Sequence, residues 1–258
     1  MTMTDKEVSV IILAGGKPED PLAQSQAVAH PCLIEINGKT MISRIVEAFS
    51  KTPGIAEIIV ISFPAVLATL PPQVKGLEAK GRAVENLALG LAACTKEWLI
   101  AAPADMPWLT APAVTAFLEG ALATGADLVY PIVARPLYEA KFPGGRRTYV
   151  TLREDTFTGG NLAFARHAFL QAQLPMIERL FELRKNPLAL ARLLGFGFVL
   201  GLLLKRLDLP ALEARASQIT GGRTVALPVM HAELGFDIDK AEDLEMALRI
   251  APQMDAGG

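Results

Sequence analysis

Apolar positions in the first two-thirds of the chain fall into short unbroken runs. The stretches between those runs repeat their apolar residues every three or four positions. Val8-Ser9-Val10-Ile11-Ile12-Leu13-Ala14 is almost wholly apolar and β-branched, as a strand buried on both faces requires. Glu57-Ile58-Ile59-Val60-Ile61-Ser62, Trp98-Leu99-Ile100-Ala101-Ala102 and Asp127-Leu128-Val129-Tyr130-Pro131 read the same way, and Leu33-Ile34-Glu35-Ile36 reads as a further strand before the turn Asn37-Gly38. Residues 41–49, 83–94 and 112–123 carry helical spacing. This alternation, with short connections, predicts a doubly wound, mostly parallel α/β sheet whose ligands lie at the strands' C-terminal ends.

The rhythm breaks over residues 171–221, where Pro175, Pro187 and Pro210 separate apolar helical pieces. Residues 193–204 are apolar, hold three glycines and are too short to span a bilayer. We expect a helical apolar insertion whose centre is a buried helix or hairpin, without stable membrane insertion. A homodimer face and a lipid-facing surface are the alternatives. Sheet-like sequence returns at Arg223-Thr224-Val225-Ala226-Leu227-Pro228-Val229, and an amphipathic helix closes the chain. Residues 1–258 are therefore expected to form one domain with the insertion inside it.

With 258 residues, 51% hydrophobic and 20% charged, the chain can bury a sizeable core. A net charge of -2 gives no general attraction for nucleic acid, so none is expected as a partner. Cys32 and Cys94 fit neither metal-ligand spacing nor a disulfide framework, which points to reduced thiols and a cytoplasmic protein. The first seven residues lack a signal-peptide apolar core, so no targeting segment is expected.

Candidate chemistry gathers where the strands end. The pair Gly15-Gly16 follows the first strand, where glycines with positive φ would let backbone amides approach a phosphate; an ordinary strand-to-turn junction is the alternative. Asp105 lies between the strand of residues 98–102 and Met106-Pro107-Trp108 and would project from the sheet edge as a ligand for a hard cation, or serve as a turn residue. In Asp237-Ile238-Asp239-Lys240-Ala241-Glu242, the last four residues fit a capping box. Asp239 is thus expected to cap the helix and Asp237 to be the second metal ligand. Arg135, Lys141, Arg146 and Arg147 sit in a Pro- and Gly-rich connection, either as a solvated loop or as an anion site, with Arg146 and Arg147 the stronger candidates.

In order, Leu13-Ala14-Gly15-Gly16, residues 33–41, Ala104-Asp105-Met106-Pro107, Thr158-Gly159-Gly160-Asn161 and Phe236-Asp237-Ile238-Asp239 with Glu242-Asp243-Leu244 resemble the MobA-like NTP transferases. The likeness is nearest to the molybdenum-cofactor guanylyltransferase-like group. The resemblance implies a three-layer α/β/α sandwich of the GT-A-like nucleotide-diphospho-sugar transferase fold. It also implies Mg²⁺-dependent transfer of an NMP group from an NTP to a phosphorylated or acidic small-molecule acceptor, with release of pyrophosphate. Leu13, Ala14, Gly15 and Gly16 would hold the nucleotide, and Asp105 and Asp237 would bind Mg²⁺. Asn86 would contact base or ribose, unless it is an ordinary residue of a helix N-terminus. Thr158, Gly159, Gly160 and Asn161 would present amides to the acceptor, beside Arg146 and Arg147.

The family usually places a Lys before the segment equivalent to residues 33–36, where this chain reads Val28-Ala29-His30-Pro31-Cys32. Lys17 and His30 are the candidates to replace it, Lys17 as a catalytic cation. The departure keeps a nucleotide-binding or regulatory relative without transfer chemistry as one alternative. The resemblance of Asp237-Ile238-Asp239 to an Asp-x-Asp metal motif keeps a nucleotide-sugar glycosyltransferase as another.

Overall fold

The first apolar run becomes the centre of the sheet, and its alternation sets the layers. A computed structural model describes residues 6–16, 20–183 and 186–256. The first half comprises β1 Val8–Ala14, α1 Pro21–Ser25, β2 Glu35–Ile36, β3 Lys39–Thr40, α2 Met41–Ser50, β4 Ile55–Ser62, α3 Pro64–Leu67, β5 Lys75–Glu78, α4 Ala83–Ala93, β6 Trp98–Pro103 and α5 Ala111–Thr124. There follow β7 Leu128–Ala134, α6 Arg135–Lys141, β8 Tyr149–Thr151, β9 Thr156–Gly159, β10 Ala163–Arg166, α7 His167–Ala172, α8 Leu174–Leu183, α9 Pro187–Leu194, α10 Phe196–Leu203, α11 Leu209–Thr220, β11 Thr224–Val229 and α12 Ala241–Ala256.

Val8, Val10 and Ile12 point into a core shared with Ile42, Ile45 and Phe49 of α2 and Val114 and Phe117 of α5. Ile11 points the other way, into a core with Leu87 and Leu91 of α4 and Leu170 of α7. Helices thus cover both faces of a mainly parallel sheet, as the strands' uninterrupted apolar character demands. β1 lies between β4 and β6, parallel to both, and β5 extends the sheet beyond β4. On the other side β10 runs antiparallel between β6 and β7, and β11 pairs parallel with β7.

Residues 156–166 form one bent antiparallel segment. β11 occupies one edge of β7 from Leu128 to Val133, so β10 and β9 must share the opposite edge. The lower half joins β6 to β7, and the upper half carries β8 outward. Gly160 sits at the bend because a Cβ there would lie 2.7 Å from Pro131 Cγ and 3.1 Å from the carbonyl oxygens of Pro131 and Leu234.

Two expectations are corrected. Residues 33–36 do not join the sheet: Pro31–Leu33 is a 3₁₀ turn, and β2 pairs only with β3. Asn37 and Gly38, at φ of 52° and 75°, close a two-residue hairpin that curls the segment away. The insertion is helical, but its apolar centre is not buried. No residue of α8 or α10 is buried, and Phe196, Leu200 and Leu203 are exposed. No described helix is long and apolar enough to cross a membrane.

The two ends of this helical segment meet at Asp127. Its carbonyl accepts from Arg166 N at 2.9 Å, its Oδ2 accepts from Arg223 N at 3.0 Å, and its own N–H donates to the Arg223 carbonyl at 2.9 Å. Beneath this clasp, Phe164 stacks on Trp98 with ring centroids 5.1 Å apart. Phe164 is fully buried, so Phe164→Ala should cost about 3–5 kcal/mol, measured by urea unfolding against wild type.

Candidate active site

Beyond Pro103 the chain leaves β6 with Ala104 and Met106 turned inward, which leaves Asp105 at the sheet's C-terminal edge. The Asp105 carbonyl accepts a hydrogen bond from Ile238 N at 3.0 Å. Ile238 is itself buried, among residues that include Leu244 and Ala247 of α12, so its neighbours Asp237 and Asp239 are presented to Asp105. One carboxylate oxygen from each of the three lies within 4.8 Å of the others.

Asp105 Oδ1 is sealed from solvent without a hydrogen-bond partner among the described residues. Burial, reinforced by the charges of Asp237 and Asp239, pushes its carboxyl up to about 7. Burial raises Asp237 too, against the opposing pull of Arg147. A cluster of hard oxygens with one stranded atom is the donor set a small divalent cation requires.

Arg147 binds this cluster to its surroundings. Its guanidinium pairs with Asp237, donates from Nη2 to the Gly159 carbonyl at 3.2 Å and Asn161 Oδ1 at 3.4 Å, and donates from Nε to Thr158 Oγ1 at 3.4 Å. Thr158, Gly159, Asn161 and Asp237 are therefore one assembly. The structure corrects the expectation that Gly160 and Asn161 offer backbone amides to an acceptor. Gly160 N donates to Pro131 O at 2.7 Å and Asn161 N to Leu234 O at 2.9 Å, because the bend packs this backbone against its neighbours. The Asn161 Nδ2 amide is buried without a partner among the described residues. Arg146 is exposed, and Lys141 is spent on the buried Glu233 at 2.7 Å.

The glycine loop lies beside the carboxylates, since Leu13 pairs with Pro103 and both chains leave the sheet there. Neither Gly15 nor Gly16 has positive φ, contrary to expectation. What each requires is space: a Cβ on Gly15 would lie 2.4 Å from Asn86 Nδ2, and one on Gly16 would lie 3.3 Å from His30 Nε2. Leu13 and Ala14 end β1, and the Ala14 carbonyl is taken by Ser62 Oγ at 2.7 Å. Asn86 is buried, with its Oδ1 accepting from Lys80 N at 2.8 Å and its Nδ2 donating to Gly81 O at 3.4 Å. It shapes the loop wall, and its carboxamide is engaged rather than turned toward a base. Lys17 lies outside the described residues.

His30 stands near the position where the family's Lys is missing, but as a neutral group. Burial pulls its pKa below the usual imidazole range, against the pull of Asp20. Its Nδ1 accepts from Cys32 N at 3.2 Å, which assigns the proton to Nε2. That buried N–H has no partner among the described residues and lies against Gly16.

The sequence profile of the MobA-like NTP transferase domain matches residues 10–225. The chain belongs to that family. A hypothetical transferase from Thermus thermophilus is similar over 92% of this chain and 99% of its own, at 38% identity and a TM-score of 0.84. A CMP:2-keto-3-deoxy-manno-octonic acid synthetase solved with CTP covers 98% of this chain and 100% of its own, at 17% identity and a TM-score of 0.58. For a 2-C-methyl-D-erythritol 4-phosphate cytidylyltransferase, also from Thermus thermophilus, the values are 95%, 99%, 18% and 0.55. These last two likenesses concern the fold. Comparison with curated proteins gave no match.

For this MobA-like chain, sequence reasoning missed Asp239 as a member of the carboxylate group. At the start of α12 it is Asp243, in the first turn, that reaches back: its Oδ2 accepts from Asp239 N at 3.2 Å and Lys240 N at 3.0 Å, the reciprocal half of a capping box. Asp243→Ala should therefore cost about 1 kcal/mol, whereas Asp239→Asn should leave the melting temperature unchanged or raised; paired thermal melts decide.

Protonation of Asp105 adds a pH signature. The folded chain holds this proton up to about pH 7, whereas the group's ordinary value is 3.8. Between those values the folded state carries the extra proton, so stability falls as pH rises. Denaturant unfolding of the metal-free protein across that window should show this slope in wild type and a flatter one in Asp105→Asn.

Proposed function

We propose that this protein is a Mg²⁺-dependent nucleotidyltransferase that moves an NMP group from an NTP to a phosphorylated or acidic small-molecule acceptor and releases pyrophosphate. The observation that carries this reading is the placement of Asp105, Asp237 and Asp239 beside the Gly15-Gly16 loop at adjoining strand ends, with one buried oxygen left without a partner. Family membership supports the reaction class.

Asp105 and Asp237, joined by Asp239, would hold the cation. When bound, it would neutralise charge on the phosphate oxygens. The chain's own residues set the geometry. The narrow loop at Gly15-Gly16 admits phosphate oxygens close to the backbone, and His30 Nε2–H is an uncharged donor on that side. Lys80, exposed on the segment that Asn86 pins beside Gly15, adds a cation that sequence reasoning passed over. Arg147 keeps Asp237 and Asn161 in fixed relation, so Asn161 Nδ2 and the exposed Arg146 remain to receive the acceptor's anion. In the transfer, an acceptor oxyanion forms a bond to the α-phosphorus as the bond from that phosphorus to the bridging oxygen breaks, and the electron pair departs with pyrophosphate.

Asp105→Asn and Asp237→Asn should each abolish Mg²⁺-dependent pyrophosphate release while the circular dichroism spectrum stays native. A panel of NTPs and phosphorylated metabolites assayed for pyrophosphate tests the reading; unchanged turnover in both variants would refute it. His30→Ala should weaken NTP binding about tenfold to a hundredfold, the range of a hydrogen bond to a charged group, as titration calorimetry would read.

A further inference from the structure

A cavity of about 290 Å³ lies against β7, β9 and α11 and touches the Arg147 assembly through Thr158 and Gly159. Leu128 packs in the core that α4 covers, and Tyr130 and Ile132 follow it on the same face of β7 by strand alternation. Leu152 and Phe157 from the β8–β9 hairpin and Leu212 and Ala216 of α11 complete the walls. The volume is about twice that of a dry apolar cavity known to take benzene.

The polar groups lining it are already engaged. The Tyr130 hydroxyl donates to Gly160 O, Thr158 Oγ1 accepts from Arg147, Glu213 Oε1 accepts from Ala226 N at 2.9 Å, and Thr224 Oγ1 meets Thr220 Oγ1 at 3.0 Å. A ligand in this space would meet carbon. Thr158 and Gly159 line the cavity and also accept from Arg147, which reaches Asn161 and Asp237 as well. One guanidinium therefore separates the apolar wall from the carboxylates.

We propose that the acceptor is a small amphiphile: its anionic oxygen group meets Asn161 Nδ2 and Arg146 beside the Arg147–Asp237 pair, and its apolar body, a short chain or a ring, fills this cavity. This rests on the transferase reading and names the acceptor's chemical class. The volume suits a short chain rather than the long tails of a bilayer lipid.

Titration calorimetry with n-alkyl phosphates from methyl to octyl, below micelle-forming concentrations, tests it on the full chain with Mg²⁺ and a non-hydrolysable NTP and again without nucleotide. Affinity should rise about fourfold per methylene until the cavity is full. Ala216→Trp should abolish that gain while NTP affinity stays at the wild-type value. Affinity independent of chain length in wild type would overturn the proposal, as would a gain that survives in a folded Ala216→Trp. Preference for phosphatidate-containing vesicles over octyl phosphate would also overturn it. Absence of NTP binding with a retained chain-length gain would sink the transferase reading and leave the cavity's apolar preference standing.

Discussion

A single backbone hydrogen bond, from Ile238 N–H to the Asp105 carbonyl, brings two distant parts of the chain to one point. Asp105 comes from the end of β6, whereas Asp237 and Asp239 come from the run into the last helix. Ile238 is anchored in apolar contacts, so the bond fixes which side chains flank Asp105. Three carboxylates this close repel one another. Arg147 offsets part of that repulsion and extends order to Thr158, Gly159 and Asn161. The Asp105 carboxyl accommodates the rest by keeping its proton.

The sheet's centre was legible because strands buried on both faces must be written as apolar runs, and β1, β4, β6 and β7 are. β8 and β9 were not, because Tyr149-Val150-Thr151 and Thr156-Phe157-Thr158-Gly159 are short and mixed, and their pairing is fixed by a bend at Gly160 rather than by local pattern. The positions of Asp105 and Asp237 could be anticipated from strand ends and motif order. Asp239 could not, because Asp239-Lys240-Ala241-Glu242 reads as a capping box, whereas Asp243 takes the local backbone N–H groups and leaves the Asp239 carboxylate to the cluster. The glycines were found for an incomplete reason: positive φ was the expectation, but the close approach of Asn86 and His30 is what excludes a side chain. Lys141 was drawn away from any anion by Glu233, a partner 92 residues distant in sequence.

His30 changes the character of the side proposed to take phosphate. A lysine attracts any anion at a distance, while a neutral, buried N–H acts only at contact and only on an oxygen in line with it. On the proposed transferase reading, charge neutralisation there would fall to groups supplied from elsewhere, including the exposed Lys80. The buried thiol of Cys32, pushed up to about 12 by burial, stays protonated 3.0 Å from the imidazole Nδ1, which also accepts the Cys32 backbone N–H.

The clasp at Asp127 gives the helical insertion an unusual mechanical status. Because Arg166 and Arg223 are held by the same residue, the long excursion between them starts and finishes at one place on the sheet. Loop-closure entropy grows only with the logarithm of loop length, so lengthening, shortening or exchanging that excursion perturbs the framework little. The wall that α11 contributes can thus diverge between lineages while the strands that carry the carboxylates stay as they are.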